Sequence, residues 1–286
     1  MTNSRIDQLT EATDLVNTDL FLLEQNTTAK KLTWRTFLEK TLAALSGQSG
    51  ILRVSNPNLL DNPWFTVNQR GATAYTVGAY GVDRWKLISG SATVTANGIT
   101  LNGTLRQILE QKPVGEVKAS VKMYSGTGSA SYDSTTGYFD ITSSGGTLRA
   151  AKLETGSVST LGNDQTPNYA VELSKCQRYY QRFSSGTQTY FVFALGYMQS
   201  ATSCRFFLPL TVPMRAKPTI NSPEAVYFNY GPSSTRAAVS GFSVNNMLPN
   251  QVFLSSVTAS EVTTGTAGEV MTTTGTGVVI ELTADL

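Results

Sequence analysis

The sequence predicts a mainly β protein in three parts: a small N-terminal ββα unit, a jelly-roll-like β-sandwich and a second, C-terminal β-domain. Three observations lead there. Charged residues make up only 15% of the chain, against ~25% in typical soluble domains. Ser, Thr, Gly and Asn stand in their place, a composition of turns and strands. Short apolar or β-branched runs recur between Gly, Asn and Ser clusters, which is the pattern of a sandwich or barrel. A chain of 286 residues also exceeds one ordinary core.

Residues 1–50 form the first unit with its linker. Asp19 to Gln25 reads as a strand, Asn26 to Ala29 as a turn, and Lys30 to Leu32 as the return strand. Thr33 can cap a helix over Trp34 to Leu45, where Phe37, Leu38, Thr41, Leu42 and Leu45 share one face. Gly47 ends it, and Ser46 to Gly50 is a short flexible joint. So small a unit is expected to be covered by copies of itself or by another protein.

Residues 51–166 read as the sandwich, with strands at Thr93–Thr95, Ile99–Leu101, Val117–Val121, Gly137–Ile141 and Leu148–Leu153. Residues 167–286 open on a helix from Asn168 to Phe183, with Pro167 at its start and a stripe of Tyr169, Leu173, Cys176 and Tyr180. Strands follow at Tyr190–Tyr197, Ser203–Leu210, Ala225–Tyr230, Val252–Val257 and Val278–Thr283. The stretch Val257 to Gly277 is Thr/Gly-rich and nearly free of large apolar residues, so an isolated monomer is expected to bury it poorly.

The composition narrows function. The chain has no histidine, which removes Ser-His and Cys-His nucleophile pairs and most zinc sites. Residues 51–217 carry sixteen Lys/Arg against nine Asp/Glu, a net of +7, and residues 218–286 carry one against five, a net of −4. No cluster is dense enough for a nucleic-acid groove. No run of eighteen apolar residues and no secretion signal is present, so synthesis in the cytoplasm without membrane insertion is expected. Cys176 and Cys204 allow one disulfide or two buried thiols, and a reducing cytoplasm favours thiols. No cofactor is expected.

Asn56 to Trp85 reads NPNLLDNPWFTVNQRGATAYTVGAYGVDRW. It contains Asn58-Leu59-Leu60 with Asn62 and Phe65, then Gln69-Arg70-Gly71, then Asp83-Arg84-Trp85. Lys152-Leu153-Glu154 closes the sandwich. Cys176-Gln177-Arg178-Tyr179-Tyr180 follows, and then Met214-Arg215 with Pro218-Thr219. In this order the motifs resemble a β-sandwich module and its following segment in tail-fibre and receptor-binding appendage proteins of tailed bacteriophages. The family often has Trp before the Q-R-G turn, where this chain has Asn68. Ile6, Leu9, Ala12-Thr13, Asp19, Phe21, Thr28, Lys30 and Leu32 are similar to the N-terminal attachment segment of such appendages.

The resemblance implies a non-enzymatic virion protein, made in the bacterial host cytoplasm. It implies a homotrimer whose first unit docks to other tail or collar proteins and whose carbohydrate-binding-module-like sandwich meets a bacterial surface glycan. Two alternatives belong to other classes: a polysaccharide-modifying tailspike enzyme, and a collar or capsid decoration fibre without a receptor role. Tyr75 and Tyr80, in a Gly/Ala/Thr-rich loop, are the first candidates for exposed glycan-stacking rings. Tyr132 and Tyr138, flanking the polar segment Ser125 to Gly137, come second, and the region from Tyr227 to Tyr230 is the fallback. The bland alternative is that these rings pack against strands or protomers. Trp64, Phe65 and Trp85 read as core rather than sugar platforms. Asp133 with Asp140, or Asp61 with Asp83, would be the carboxylate pairs for glycoside cleavage, or, for Asp61 or Asp83, ligands of a structural calcium. No surrounding signature supports either chemistry.

Overall fold

The structure, a computed structural model, describes residues 20–25, 28–33, 37, 41, 55–221, 226–230, 235–272, 277 and 279–286. It is mainly β. The chain divides into two compact units, Met1–Ser55 and Asn56–Leu286. In the first, β1 (Leu20–Gln25) pairs antiparallel with β2 (Thr28–Thr33), and Phe37 and Thr41 are helical. Most of the expected Trp34–Leu45 helix and the Ser46–Gly50 joint lie outside the described residues.

The second unit holds two hydrophobic cores. The first belongs to an antiparallel sheet of β3 (Lys86–Thr95), β4 (Gly98–Ile108), β5 (Val117–Ser125), β6 (Gly128–Asp133) and β7 (Tyr138–Thr155). The eighteen-residue β7 unites the two strands expected at 137–141 and 148–153, and pairs with β4, β5 and β6. The segment 56–85 lies over the inner face as the second layer. It bridges β3 at Ala74–Thr93 and Tyr80–Lys86, and bonds β7 through Leu59 to the Leu153 carbonyl and Ala151 to the Pro63 carbonyl, each at 2.8 Å. Leu60, Phe65, Val82 and Trp85 reach down from it onto Leu87, Leu105, Phe139, Ile141 and Leu153. The expected polar loop from Ser125 to Gly137 is mostly the strand β6. Its GSASYD sequence has no apolar period, so backbone pairing with β7 specifies it instead.

The second core lies in a closed antiparallel barrel, in the order β10 (Ser203–Pro209), β14 (Gln251–Thr258), β13 (Arg236–Leu248), β12 (Val226–Asn229), β15 (Ala267–Met271), β9 (Val192–Ser200). A three-stranded sheet of β11 (Thr219–Asn221), β16 (Val279–Thr283) and β8 (Tyr180–Ser184) accompanies it. The Thr/Gly-rich stretch is covered only in part, with residues 259–261 and 263–265 exposed. Strand β15 within it closes the barrel between β12 and β9, and Val262, Val270 and Met271 are buried within the monomer. Barrel closure removes the edges that poor burial would have exposed.

The helix α1 is shorter than expected, Tyr169–Gln177. Asn168 caps it, its side chain accepting from the backbone of Ala170 and Val171. Its buried face is Glu172 and Cys176, while Tyr169 is exposed and Tyr180 already lies in β8. The stripe therefore holds only in part. Both cysteines are free and buried.

Candidate functional site

The motif residues converge on one junction between the sandwich and the C-terminal half of the same unit. Asn62 is its inner hub and is fully buried. Its side chain donates to the carbonyls of Val67 (2.9 Å) and Asp83 (3.0 Å) and accepts from the backbone of Val67. Its carbonyl accepts from the Trp85 indole at 2.9 Å. Its own N–H donates to Glu172 of α1 at 2.8 Å, and Lys175 in turn pairs with Glu172 at 2.7 Å. Trp85 packs between Phe65 (5.0 Å) and Phe139 (6.0 Å). Asn58 pins the opening Leu60 turn to β7: it donates to Ala151 and accepts from Leu60 and Leu153.

The two arginines of the opening motifs each lie over one tyrosine of the Cys176–Tyr180 motif. The Arg70 guanidinium sits 3.7 Å from the Tyr180 ring centroid and pairs with Asp83 (3.2 Å) and Asp285 (2.5 Å). Gly71, at φ +65 in open space, supplies the left-handed turn that sets Arg70 in place. Gln69 donates to Asp83 (2.7 Å) and to the Tyr180 carbonyl (2.9 Å). The fully buried Arg84 lies 3.5 Å from the Tyr179 centroid, pairs with Asp61 (3.2 Å) and donates to the Ile108 carbonyl (2.7 Å).

Glu110 accepts from the Tyr179 hydroxyl at 2.8 Å and pairs with Arg178 at 3.1 Å. Arg215 donates to the Ala284 carbonyl at 3.0 Å and, through its backbone, to Arg178 at 2.8 Å. Met214 and Pro218 are buried beside it. Tyr180 donates to Glu281 at 2.6 Å. Burial pushes the Tyr179 and Tyr180 hydroxyls up, with Glu110 and Glu281 adding to the rise. It also raises Asp83 to about 6, against the lowering effects of Gln69 and Arg70.

The four tyrosines expected to be exposed are not. Tyr75 is half-buried against the sandwich core, its hydroxyl accepts from Val82 at 3.0 Å, and burial raises its pKa. Gly81 lies flat under that ring, where an added Cβ would come within 2.5 Å of it. Tyr80 donates to the Leu286 carbonyl at 2.5 Å, and burial pushes it up to about 12. Tyr132 and Tyr138 lie half-buried in β6 and β7, not in a loop, and Tyr138 carries Arg106 at 3.9 Å from its ring. Tyr227 and Tyr230 are half-buried as well, Tyr230 stacked on Phe228.

The carboxylates have structural partners. Asp140 receives two 2.7 Å bonds from Arg106, and Asp133 closes its own turn through Thr135 and Thr136. Asp61 and Asp83 serve the two junction arginines. Among the described residues, no group of three or more His, Cys, Asp or Glu is placed to hold a metal ion, and no helix is long and apolar enough to cross a membrane.

Trp64 departs from the sequence reading as core. It is half-buried, as those tyrosines are, while the adjacent Phe65 is core. The backbone explains the split. Asn62 (φ 50) and Phe65 (φ 57) are both left-handed, and Phe65 N–H closes a turn onto Asn62 at 3.1 Å. That turn sends Phe65 inward onto Trp85 and leaves Trp64 facing out. The Trp64 ring then forms one wall of a groove of about 530 Å³, with Thr66, Asn68, the β3–β4 hairpin tip (Val94 to Gly98), Arg149 and Thr166. Arg149 and Lys122 each lie over its ring, 5.8 Å from the centroid, and of the two Arg149 lines the groove while Lys122 stands beside it on the same ring. The hairpin tip lies close against β7, where a Cβ at Gly98 would meet the Leu148 carbonyl at 1.9 Å. Asn68 fixes the opposite wall with reciprocal bonds to Ala72.

The chain matches no family model, no curated protein and no solved structure.

Proposed function

We propose that this chain is a tail-fibre or receptor-binding appendage of a tailed bacteriophage. It works by binding rather than catalysis, assembles as a homotrimer, and attaches the virion to a bacterial surface glycan. Residues 1–50 dock it to other tail or collar proteins. One observation supports the reading above the others. The Gln69-Arg70-Gly71, Asp83-Arg84-Trp85 and Cys176–Tyr180 motifs, with Arg215 beside them, meet at a single junction in which Arg70 rides on Tyr180 and Arg84 on Tyr179. One three-dimensional device thus accounts for residues that are far apart in sequence. Self-association has its own support in an outward apolar band on the barrel. Phe207 pairs in register with Leu195 and Phe253 on its two neighbours, and Leu195 is 67% and Phe207 42% exposed. Contiguous exposed apolar surface of this kind marks interaction sites. Several copies per particle would multiply weak contacts at each protomer.

Antibody labelling of virions is the test. Label at the tail tip, with purified protein adsorbing to host cells, is the expected result. Label confined to collar or capsid would replace the reading with a decoration role. New reducing ends after incubation with host capsule would replace it with a tailspike enzyme.

A further inference from the structure

We infer that the Trp64 groove binds an acidic pyranose, with the sugar face on the indole and its carboxylate or phosphodiester group met by Arg149 and Lys122. This rests on the receptor-binding reading and adds to it the chemical class of the ligand. The chemistry follows from three features. A half-buried indole offers a flat apolar face to sugar C–H groups, and its rigid ring loses little entropy on contact. The groove volume, about 530 Å³, falls within the ~300–1,000 Å³ usual for small-ligand sites. Asn68, Asn97 and Thr166 supply amide and hydroxyl groups for sugar oxygens at its rim.

The charge sets the class. Neither Arg149 nor Lys122 has an ion pair or side-chain hydrogen bond among the described residues, and no acid lines the groove. The two cations stand on adjacent strands, where β5 bulges against β7 between Lys122 and Met123. Two like charges beside one ring repel each other unless an anion joins them. The cavity beside Arg84 and Tyr179, about 380 Å³, is different. Its arginines Arg84 and Arg178 are already matched by Asp61 and Glu110, and its Lys112 donates to the Thr135 carbonyl.

The experiment uses the full chain and tryptophan fluorescence, at low salt and at high salt. Three probes are titrated: an alginate hexamer for the carboxylate, a sugar-bearing glycerol-phosphate polymer for the phosphodiester, and a dextran hexamer as the neutral control. At least one acidic probe is expected to bind, weakening with salt, and dextran roughly ten-fold more weakly or not at all. Whichever acidic probe binds identifies the source of the charge. Trp64→Ala is expected to weaken that binding about ten-fold. Lys122→Gln with Arg149→Gln is expected to abolish the preference for acidic over neutral sugar. All variants should melt like the parent, since none of the three side chains is fully buried.

Three results would overturn the inference: equal binding of dextran, acidic binding indifferent to Trp64→Ala, or no binding of any probe. Failure here is separable from failure of the receptor reading. Unchanged adsorption to host cells of a variant combining Trp64→Ala, Lys122→Gln and Arg149→Gln would remove the groove and leave the appendage role intact. Expected sugar binding by a protein absent from the tail would do the reverse.

Discussion

The Arg84 guanidinium lies 3.5 Å from the centroid of the Tyr179 ring, inside a junction where Arg84 is only 1% exposed. A buried cation needs full compensation. Asp61 and the Ile108 carbonyl supply part of it, and one guanidinium nitrogen, Nη1, has no hydrogen-bond partner. The negative face of the Tyr179 ring offsets the remainder, and a desolvated pair of this kind is worth about 2 kcal/mol.

Tyr179 therefore matters more as a ring than as a hydroxyl. Tyr179→Phe keeps the ring and loses one bond to the exposed Glu110, at about 1 kcal/mol. Tyr179→Ala removes a buried aromatic and should cost about 3–5 kcal/mol. At ~2–4 °C per kcal/mol, the alanine variant should melt roughly 4–16 °C below the phenylalanine variant. Equal melting of the two in calorimetry would show that the ring does not hold the junction.

The second junction arginine leads to a pH prediction. Burial raises Asp83 from 3.8 to about 6, opposed by hydrogen bonds from Gln69 and by Arg70, and reinforced by Asp285. Burial also raises Asp285. Between about pH 4 and pH 6 the folded chain holds a proton that the unfolded chain has released. Stability should rise as pH falls through 6 and level off below about 4, and the cost of the ionised carboxylate is fully present above 6. A rise from 3.8 to about 6 corresponds to roughly 3 kcal/mol. Melting curves from pH 7.5 to 4.5 should slope upward toward acid, and Asp83→Asn should flatten the slope. An unchanged slope in that variant would place the titration elsewhere.

The β character, most strands and the existence of a helix after Pro167 were legible in the sequence, because they rest on local composition and period. The junction was not. Its arginines and tyrosines appear in the sequence as short unrelated motifs, and nothing local says that Arg70 meets Tyr180. Strand β6 was hidden because Ser and Gly dominate it, and β15 because it is five residues long, AGEVM, inside a Thr/Gly-rich stretch; both are fixed by pairing with strands that the local sequence does not point to. Adjacent aromatics at 64 and 65 invited one shared reading as core. Two left-handed residues separate their fates; asparagine tolerates that region, but no residue-type rule marks Phe65 for it. The loop tyrosines failed as exposed rings for the converse reason. The glycines near Tyr75 let the chain press the ring inward, as the close approach of Gly81 shows.

Lys152 gives a prediction for the end of the sandwich. It is fully buried, bonds Asp164 at 2.6 Å and Thr160 at 2.9 Å, and lies 3.6 Å from the equally buried Glu154. Glu154 in turn accepts from the Thr160 backbone at 2.7 Å and from its hydroxyl. Removing the lysine strands two acids, at about 3–5 kcal/mol, while removing all three charges is far milder. Lys152→Met should be severely destabilised in urea titration, and Lys152→Met with Glu154→Gln and Asp164→Asn should recover most of the loss. A triple variant as unstable as the single one would mean that the lysine acts through packing alone.

The last prediction concerns the barrel surface. The alternation on β10 buries Cys204, Phe206 and Leu208 and turns Arg205 and Phe207 outward. Phe207 stacks on Phe253 at 4.7 Å and faces Leu195 on β9, with Tyr197 and Val257 also exposed nearby in the barrel wall. Because these rings lie outside a closed barrel, charging them does not touch the core. Leu195→Asp with Phe207→Asp should keep the β circular-dichroism signal and lower the melting temperature little. Light scattering should show the parent at three times 30.8 kDa and the double variant at a single chain mass. A parent that stays monomeric at micromolar concentration would end the trimer proposal. A double variant that stays trimeric would move the interface off this band, since two buried aspartates could not be tolerated there without partners.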